Sequence, residues 1–152
     1  MRIAFVYPDI GGAEQYGTRK FYHGVGYLSA VLKAAGHETT LAYLQAVPDR
    51  NSFLTRINRL SPDLVAFSST THQHRFVELG AAWLKAVQPG IFTLSGGIHP
   101  TLQPEEVIKN ENLDAVCVGE GEQPLLELVE ALEAGQKIIG IANLWLKQGD
   151  RI

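Results

Sequence analysis

Cysteine is almost absent: the 152 residues contain one, Cys117. No internal disulfide can form, and the chain is expected in a reducing compartment, the cytoplasm. Long apolar runs are missing too. None approaches the ~20 residues of a membrane-spanning helix, so no membrane partner is expected. The opening MRIAFVYP carries a single arginine and breaks at Pro8, which marks a strand and not a secretion signal. Charge of one sign is scarce. Lys and Arg number 13 against 16 Asp and Glu, a net charge of −3, and that balance gives no electrostatic footprint for nucleic acid.

What is present is the composition of one folded domain, 45% apolar and 19% charged, long enough to bury most of its apolar surface. RIAFVY (2–7) is a β-rich run closed by Pro8, Asp9, Gly11 and Gly12. Residues 24–35 set Val25, Leu28, Val31 and Leu32 on one helical face, and Gly36 ends them. HETTLAYL reads as a second strand. Residues 50–60 form an amphipathic helix with Phe53, Leu54, Ile57 and Leu60 inward, stopped before Pro62. DLVAFS (63–68) is apolar on both faces, as a central parallel strand is. A third helix is predicted over 74–87 and a fourth strand over 91–95. PEEVIKN opens a short helix with Pro104 in its first turn. DAVCVG (114–119) is the fifth strand, and EQPLLELVEALEAG is the last helix.

Strands alternating with helices predict an α/β fold. The expected form is a doubly wound, flavodoxin-like (Rossmann-like) five-stranded parallel sheet, helices on both faces, strand order 2-1-3-4-5. Residues 1–136 make up this domain. Residues 137–152 leave the rhythm and read as a connector or the start of a hairpin, so the chain is expected to continue past Ile152.

Ligands of open parallel sheets bind beyond the carboxyl ends of the strands. Four polar, glycine-rich loops are expected there: PDIGGAEQYGTRKFYHG, SSTTHQH, GGIHPT and GEGEQP. None is a G-x-x-x-x-G-K-[ST] phosphate loop or a G-x-G-x-x-G turn opening a helix. A receiver domain would need acids after strands one and three and a lysine after strand five; Ser68-Ser69-Thr70 and GEGEQP stand there instead. His72 and His74, with His99 and His23 on neighbouring loops, are read as solvent-facing loop histidines, some of them hydrogen-bonding a ligand; a divalent metal is the alternative, and none is assigned. Cys117 reads as inert core. Glu122 complements the start of the last helix, whereas Glu120 fits either a turn or an acid–base role.

Taken in order, SSTT after strand three, GGIHPT after strand four, PEEV opening a helix and DAVCVGEGE at strand five resemble one family. It is the N-terminal cobalamin-binding domain of cobalamin-dependent radical S-adenosylmethionine enzymes. The resemblance extends into IANLWLKQGDRI, which is similar to the connector before their radical barrel. It implies a cobalamin-binding module of a methyltransferase or related enzyme, holding base-off cobalamin at the C-terminal edge of the sheet.

By that resemblance Ser68 and Thr70, with Ser69 between them, line the channel for the cobalamin nucleotide tail. Gly96 and Gly97 pack against the tail, so a bulky residue at Gly97 is expected to exclude it and spare the fold. Ile98, His99, Pro100 and Thr101 continue that wall, and Gly119, Glu120 and Gly121 border the other side. The loop holding Asp9, Gly11 and Gly12 faces the corrin ring. The wider fold often carries D-x-H-x-x-G there, its histidine ligating cobalt. Here Asp9 is followed by Ile10, Gly11, Gly12, Ala13 and Glu14, so no histidine ligand is expected. An iron–sulfur cluster needs several thiolates, which one cysteine cannot supply. S-adenosylmethionine and a [4Fe–4S] cluster are therefore expected only in a C-terminal radical barrel of the same chain. Two other readings are a degenerate, cofactor-free scaffold of such an enzyme and a flavodoxin-like module for a nucleotide or flavin.

Overall fold

The computed structural model describes residues 1–10 and 22–147. Strands β1 (Arg2–Pro8), β2 (Glu38–Leu44), β3 (Leu64–Ser68), β4 (Phe92–Gly96) and β5 (Ala115–Cys117) run parallel in the order β2-β1-β3-β4-β5. The switch in strand order lies between β1 and β3, as expected. A sixth strand, β6 (Leu144–Leu146), pairs antiparallel with β5, setting Trp145 opposite Val116. The five-strand expectation is thereby corrected to six. β6 is three residues long and only partly buried, too short for an alternating pattern to announce it.

Side-chain alternation along each strand splits the core into two layers. Ala4, Val6, Val65, Phe67 and Val116 point to one face, covered by α2 (Arg50–Leu60) and α3 (Thr71–Val87). Ile3, Phe5, Leu64, Ala66, Leu94 and Cys117 point to the other, covered by α1 (His23–Ala34) and α6 (Glu122–Glu133). No helix among the described residues is long and apolar enough to cross a membrane.

Helix α3 starts three residues before its expected boundary, so SSTTHQH is not all loop. Thr70 donates its N–H to the Gln73 side chain at 2.8 Å, the reach-back of a T-x-x-Q capping signature. After β4 the chain turns at once into α4 (Ile98–Leu102), then α5 (Pro104–Val107). The sharp entry into α4 is made at Gly97, whose φ of +99° is open to glycine.

Candidate functional site

A cavity of about 370 Å³ opens at the carboxyl ends of β3, β4 and β5. Its floor is formed by Phe5, Ala66 and Leu94, which stand side by side because Phe5 registers with Ala66 and Ala66 with Leu94. One pleat higher, Ser68 and Gly96 register with each other and form the rim. Leu28 of α1 and Leu125 of α6 close the flanks. The mouth lies between Ile98, Thr101 and Leu102 of α4 and the Gly119-Glu120-Gly121 turn after β5. Cys117 also lines the cavity. Burial, with Glu122 and Glu120 nearby, pushes its thiol up to about 11, so at neutral pH it is an uncharged, weakly polar wall.

The two sides of the mouth are tied by one hydroxyl. Thr101 Oγ1 donates to the Gly97 carbonyl at 2.8 Å and accepts from the Gly119 N–H at 2.9 Å. The β3 and β4 ends are tied through backbone: the Ser69 N–H donates to the Gly96 carbonyl at 3.1 Å, and the His99 N–H to the Ser69 carbonyl at 3.2 Å.

Eight of the residues expected at a site line this cavity: Ser68, Gly96, Gly97, Ile98, Thr101, Gly119, Glu120 and Gly121; Pro100 does not. Ser69, Thr70 and His99 stand behind the lining, where Ser69 is wholly buried and Thr70 caps α3. Asp9 lies at the end of β1, where its carboxylate accepts from the Tyr43 hydroxyl. Gly11 and Gly12 fall outside the described residues. Sequence reasoning missed the floor, because Phe5, Ala66 and Leu94 look like any core position of a strand. Leu102, Leu28 and Leu125 were equally silent.

Beside Asp9 the rings of Tyr7 and Tyr22 stack with centroids 4.4 Å apart, and Tyr43 lies 6.1 Å from Tyr7 on its other side. Burial raises the Tyr7 hydroxyl above its ordinary value, while the Gln73 side chain pulls the other way. These aromatics carry a second cavity of about 280 Å³ between α1 and β2, which shares Phe5 and Tyr22 with the first.

The expected His72–His74 pair is divided by the helix: two positions apart on α3, His72 is exposed and His74 buried. His74, expected to face solvent, is instead buried: it packs against His99 with ring centroids 4.2 Å apart, and its Nδ1 has no hydrogen-bond partner among the described residues. No cluster of three metal-ligating side chains occurs among the described residues.

Burial, helped by His99, lowers the His74 pKa from 6.5 to about 4. Between those values the unfolded chain binds more protons than the folded one, so stability falls as pH drops through this window. His74→Phe is expected to flatten that slope, read from urea midpoints at about pH 7, 6 and 5. An unchanged slope would place the acid sensitivity in other groups.

An open parallel sheet whose carboxyl edge holds a glycine-walled slot, with no lysine or arginine among the described residues of its lining, defines a cofactor-binding domain of the flavodoxin-like class. Within that class the chain belongs to the B12 binding domain family, which matches residues 21–129. It is 34% identical over 142 residues to the anaerobic magnesium-protoporphyrin IX monomethyl ester cyclase of Rubrivivax gelatinosus, covering 90% of this chain and 25% of that protein. The chain thus spans about a quarter of this relative's length. Among solved structures it is similar to the radical S-adenosylmethionine methyltransferase TsrM from Kitasatospora setae with cobalamin and a [4Fe–4S] cluster bound. That match has TM-score 0.80 and 17% identity over 97% of this chain and 29% of the other. It also matches the cobalamin-dependent S-adenosylmethionine radical enzyme OxsB with aqua-cobalamin and S-adenosylmethionine bound, at TM-score 0.78 and 19% identity, over 94% of this chain and 20% of that one. At these identities the two structures show a shared fold.

Proposed function

We propose that the chain holds cobalamin base-off at the carboxyl edge of its sheet, as the cobalamin module of a radical S-adenosylmethionine enzyme, a methyltransferase or a relative of one. The observation that carries this reading is the slot itself. At about 370 Å³ it lies at the small end of ligand pockets, too small to enclose cobalamin and suited to the nucleotide tail alone. One of its glycines has no partner among the described residues that requires it to lack a side chain. A Cβ on Gly96 would make only an ordinary contact, 3.6 Å from Cys117 Cβ, whereas Gly119 has its own backbone reason to be glycine, a φ of +76°. The space that Gly96 leaves open is space for the tail.

Ser68, Gly96, Gly97 and Ile98 then form one wall and Gly119, Glu120 and Gly121 the other. Ser69, Thr70 and His99 hold the first wall from behind. Asp9, fixed by Tyr43, and the segment after it in the sequence, with Gly11 and Gly12, are assigned to the ring side, and with no histidine at the second position after Asp9 that position offers cobalt no imidazole. Bound there, cobalamin would supply a cobalt centre able to accept and pass on a methyl group or an electron. S-adenosylmethionine and the iron–sulfur cluster would be held by a C-terminal barrel of the same chain, in the cytoplasm.

The test is the visible spectrum of the protein after incubation with hydroxocobalamin and gel filtration. One equivalent retained with base-off absorption supports the reading; a colourless, folded protein overturns it. The Thr101 bridge gives a finer check. Thr101→Val should weaken retention about fivefold to tenfold by freeing the two walls, with Thr101→Ser near wild type, since each bridging hydrogen bond contributes about 0.5–1.5 kcal/mol. Equal binding by all three proteins would show that the bridge does not set the width of the slot.

A further inference from the structure

We infer that the cavity selects among corrinoids by the base at the end of the nucleotide tail, taking a benzimidazole in preference to a purine. This rests on the cobalamin reading above, with the tail inside the slot. Corrinoids share the ring and differ in that base: dimethylbenzimidazole in cobalamin, adenine in the corresponding purine analogue. The base therefore meets the floor, and the floor is chemically uniform.

Phe5, Ala66 and Leu94 are 2%, 5% and 4% exposed, and none of their side chains bears a hydrogen-bonding atom. Leu28 and Leu125 press in from the two helices. The backbone groups beneath are engaged in the β1–β3 and β3–β4 ladders. A base that enters must leave its water behind and finds no replacement there. Dimethylbenzimidazole has one free ring nitrogen and two methyl groups that gain from apolar burial. Adenine has more ring nitrogens and an exocyclic amine.

Polar atoms do line the cavity, but they stand at the rim and the mouth. The Thr101 hydroxyl is already engaged on both sides. Glu120 and Glu122 lie at the mouth, at and beyond the turn after β5. The Cys117 thiol is a weak hydrogen-bonding group. Among the described residues the remaining lining hydroxyls are those of Ser68, one pleat above Ala66, and Tyr22, whose ring stacks on Tyr7; two hydroxyls cannot serve the amine and all the ring nitrogens of a purine. An apolar site rejects an added polar group by up to about a hundredfold. The expected preference is therefore tenfold to a hundredfold, about 1.4–2.7 kcal/mol.

The experiment measures dissociation constants of the whole 152-residue chain for three probes: cobalamin, its adenine-containing analogue, and cobinamide, which has the ring without the nucleotide. All three are reduced to the cobalt(I) state under anaerobic conditions. No base coordinates cobalt in that state, so the comparison reads the protein and not the free ligands' own base-on equilibria. Cobalamin binding at least tenfold tighter than the adenine analogue, with cobinamide weaker than cobalamin, is the expected result. Equal or tighter binding of the adenine analogue would overturn the selectivity and leave cobalamin binding in place. Cobinamide binding as tightly as cobalamin would overturn it by showing that the tail does not use the cavity. Failure of all three probes to bind would defeat the cofactor reading and the selectivity with it.

Discussion

Gly96→Leu is expected to leave the domain folded and to weaken cobalamin retention by at least about a hundredfold, the cost of overfilling a packed slot. Gly96 ends β4 with an ordinary backbone conformation, and the nearest atom to its added Cβ is Cys117 Cβ at 3.6 Å. The new side chain therefore has room as far as the protein is concerned. It projects into the cavity that Gly96 lines, where the tail would lie. Replacing glycine near the end of a strand also removes backbone freedom from the unfolded chain, so the thermal midpoint should stay within a few degrees of wild type. Gel filtration after hydroxocobalamin loading reads the first quantity and a circular-dichroism melt the second. A folded variant that keeps its cobalamin would move the tail out of this slot.

The adjacent glycine behaves in the opposite way. Gly97→Ala should cost about 2–5 kcal/mol of folding stability, with a fall in Tm of roughly 5–15 °C for a domain of this size. A Cβ on Gly97 would lie 2.9 Å from both the N and the O of Ser69 and 3.1 Å from Ser68 Oγ, and its φ of +99° is strained for any side chain. The two nearest obstacles are backbone and cannot swing aside. The expectation that a bulky residue at Gly97 would spare the fold while excluding the tail is corrected by this contact: the same change would disturb the junction of β3 and β4 first. Loss of binding in a Gly97 variant therefore says little about the ligand, whereas loss in the Gly96 variant says much. A Gly97→Ala protein melting within a few degrees of wild type would show that the β3–β4 junction yields more readily than its geometry implies.

Much of the fold was legible in the sequence because it is written in short periods. Alternation along RIAFVY and the apolar runs DLVAFS and DAVCVG identified strands, while 3.6-residue spacing identified α1, α2, α3 and α6. Strands joined through helices must run parallel, and from that alone the loops after β1, β3, β4 and β5 share one edge. Thus the region of the site followed from local pattern, and most residues of its two walls from the family resemblance.

The errors have local explanations. The start of α3 was misplaced although Thr70 and Gln73 carry the spacing of a capping signature. β6 was missed because Leu144, Trp145 and Leu146 are too few to show a period, and they become a strand through pairing with β5.

The sequence by itself determined the α/β class, the parallel order of the first five strands, the edge at which the cavity opens and the absence of a histidine two positions after Asp9. These depend on which residues are near in the chain, on backbone propensity and on the side to which each apolar group must turn. Only the tertiary structure decided what a glycine is for, which core residues form a floor and which histidines meet. Gly96 borders open space while Gly97 is pressed against Ser69; Phe5, Ala66 and Leu94 converge through strand register; and His74 meets His99 and turns away from its neighbour His72. Such facts depend on distances between segments far apart in the chain, set by register and packing, which no local pattern encodes.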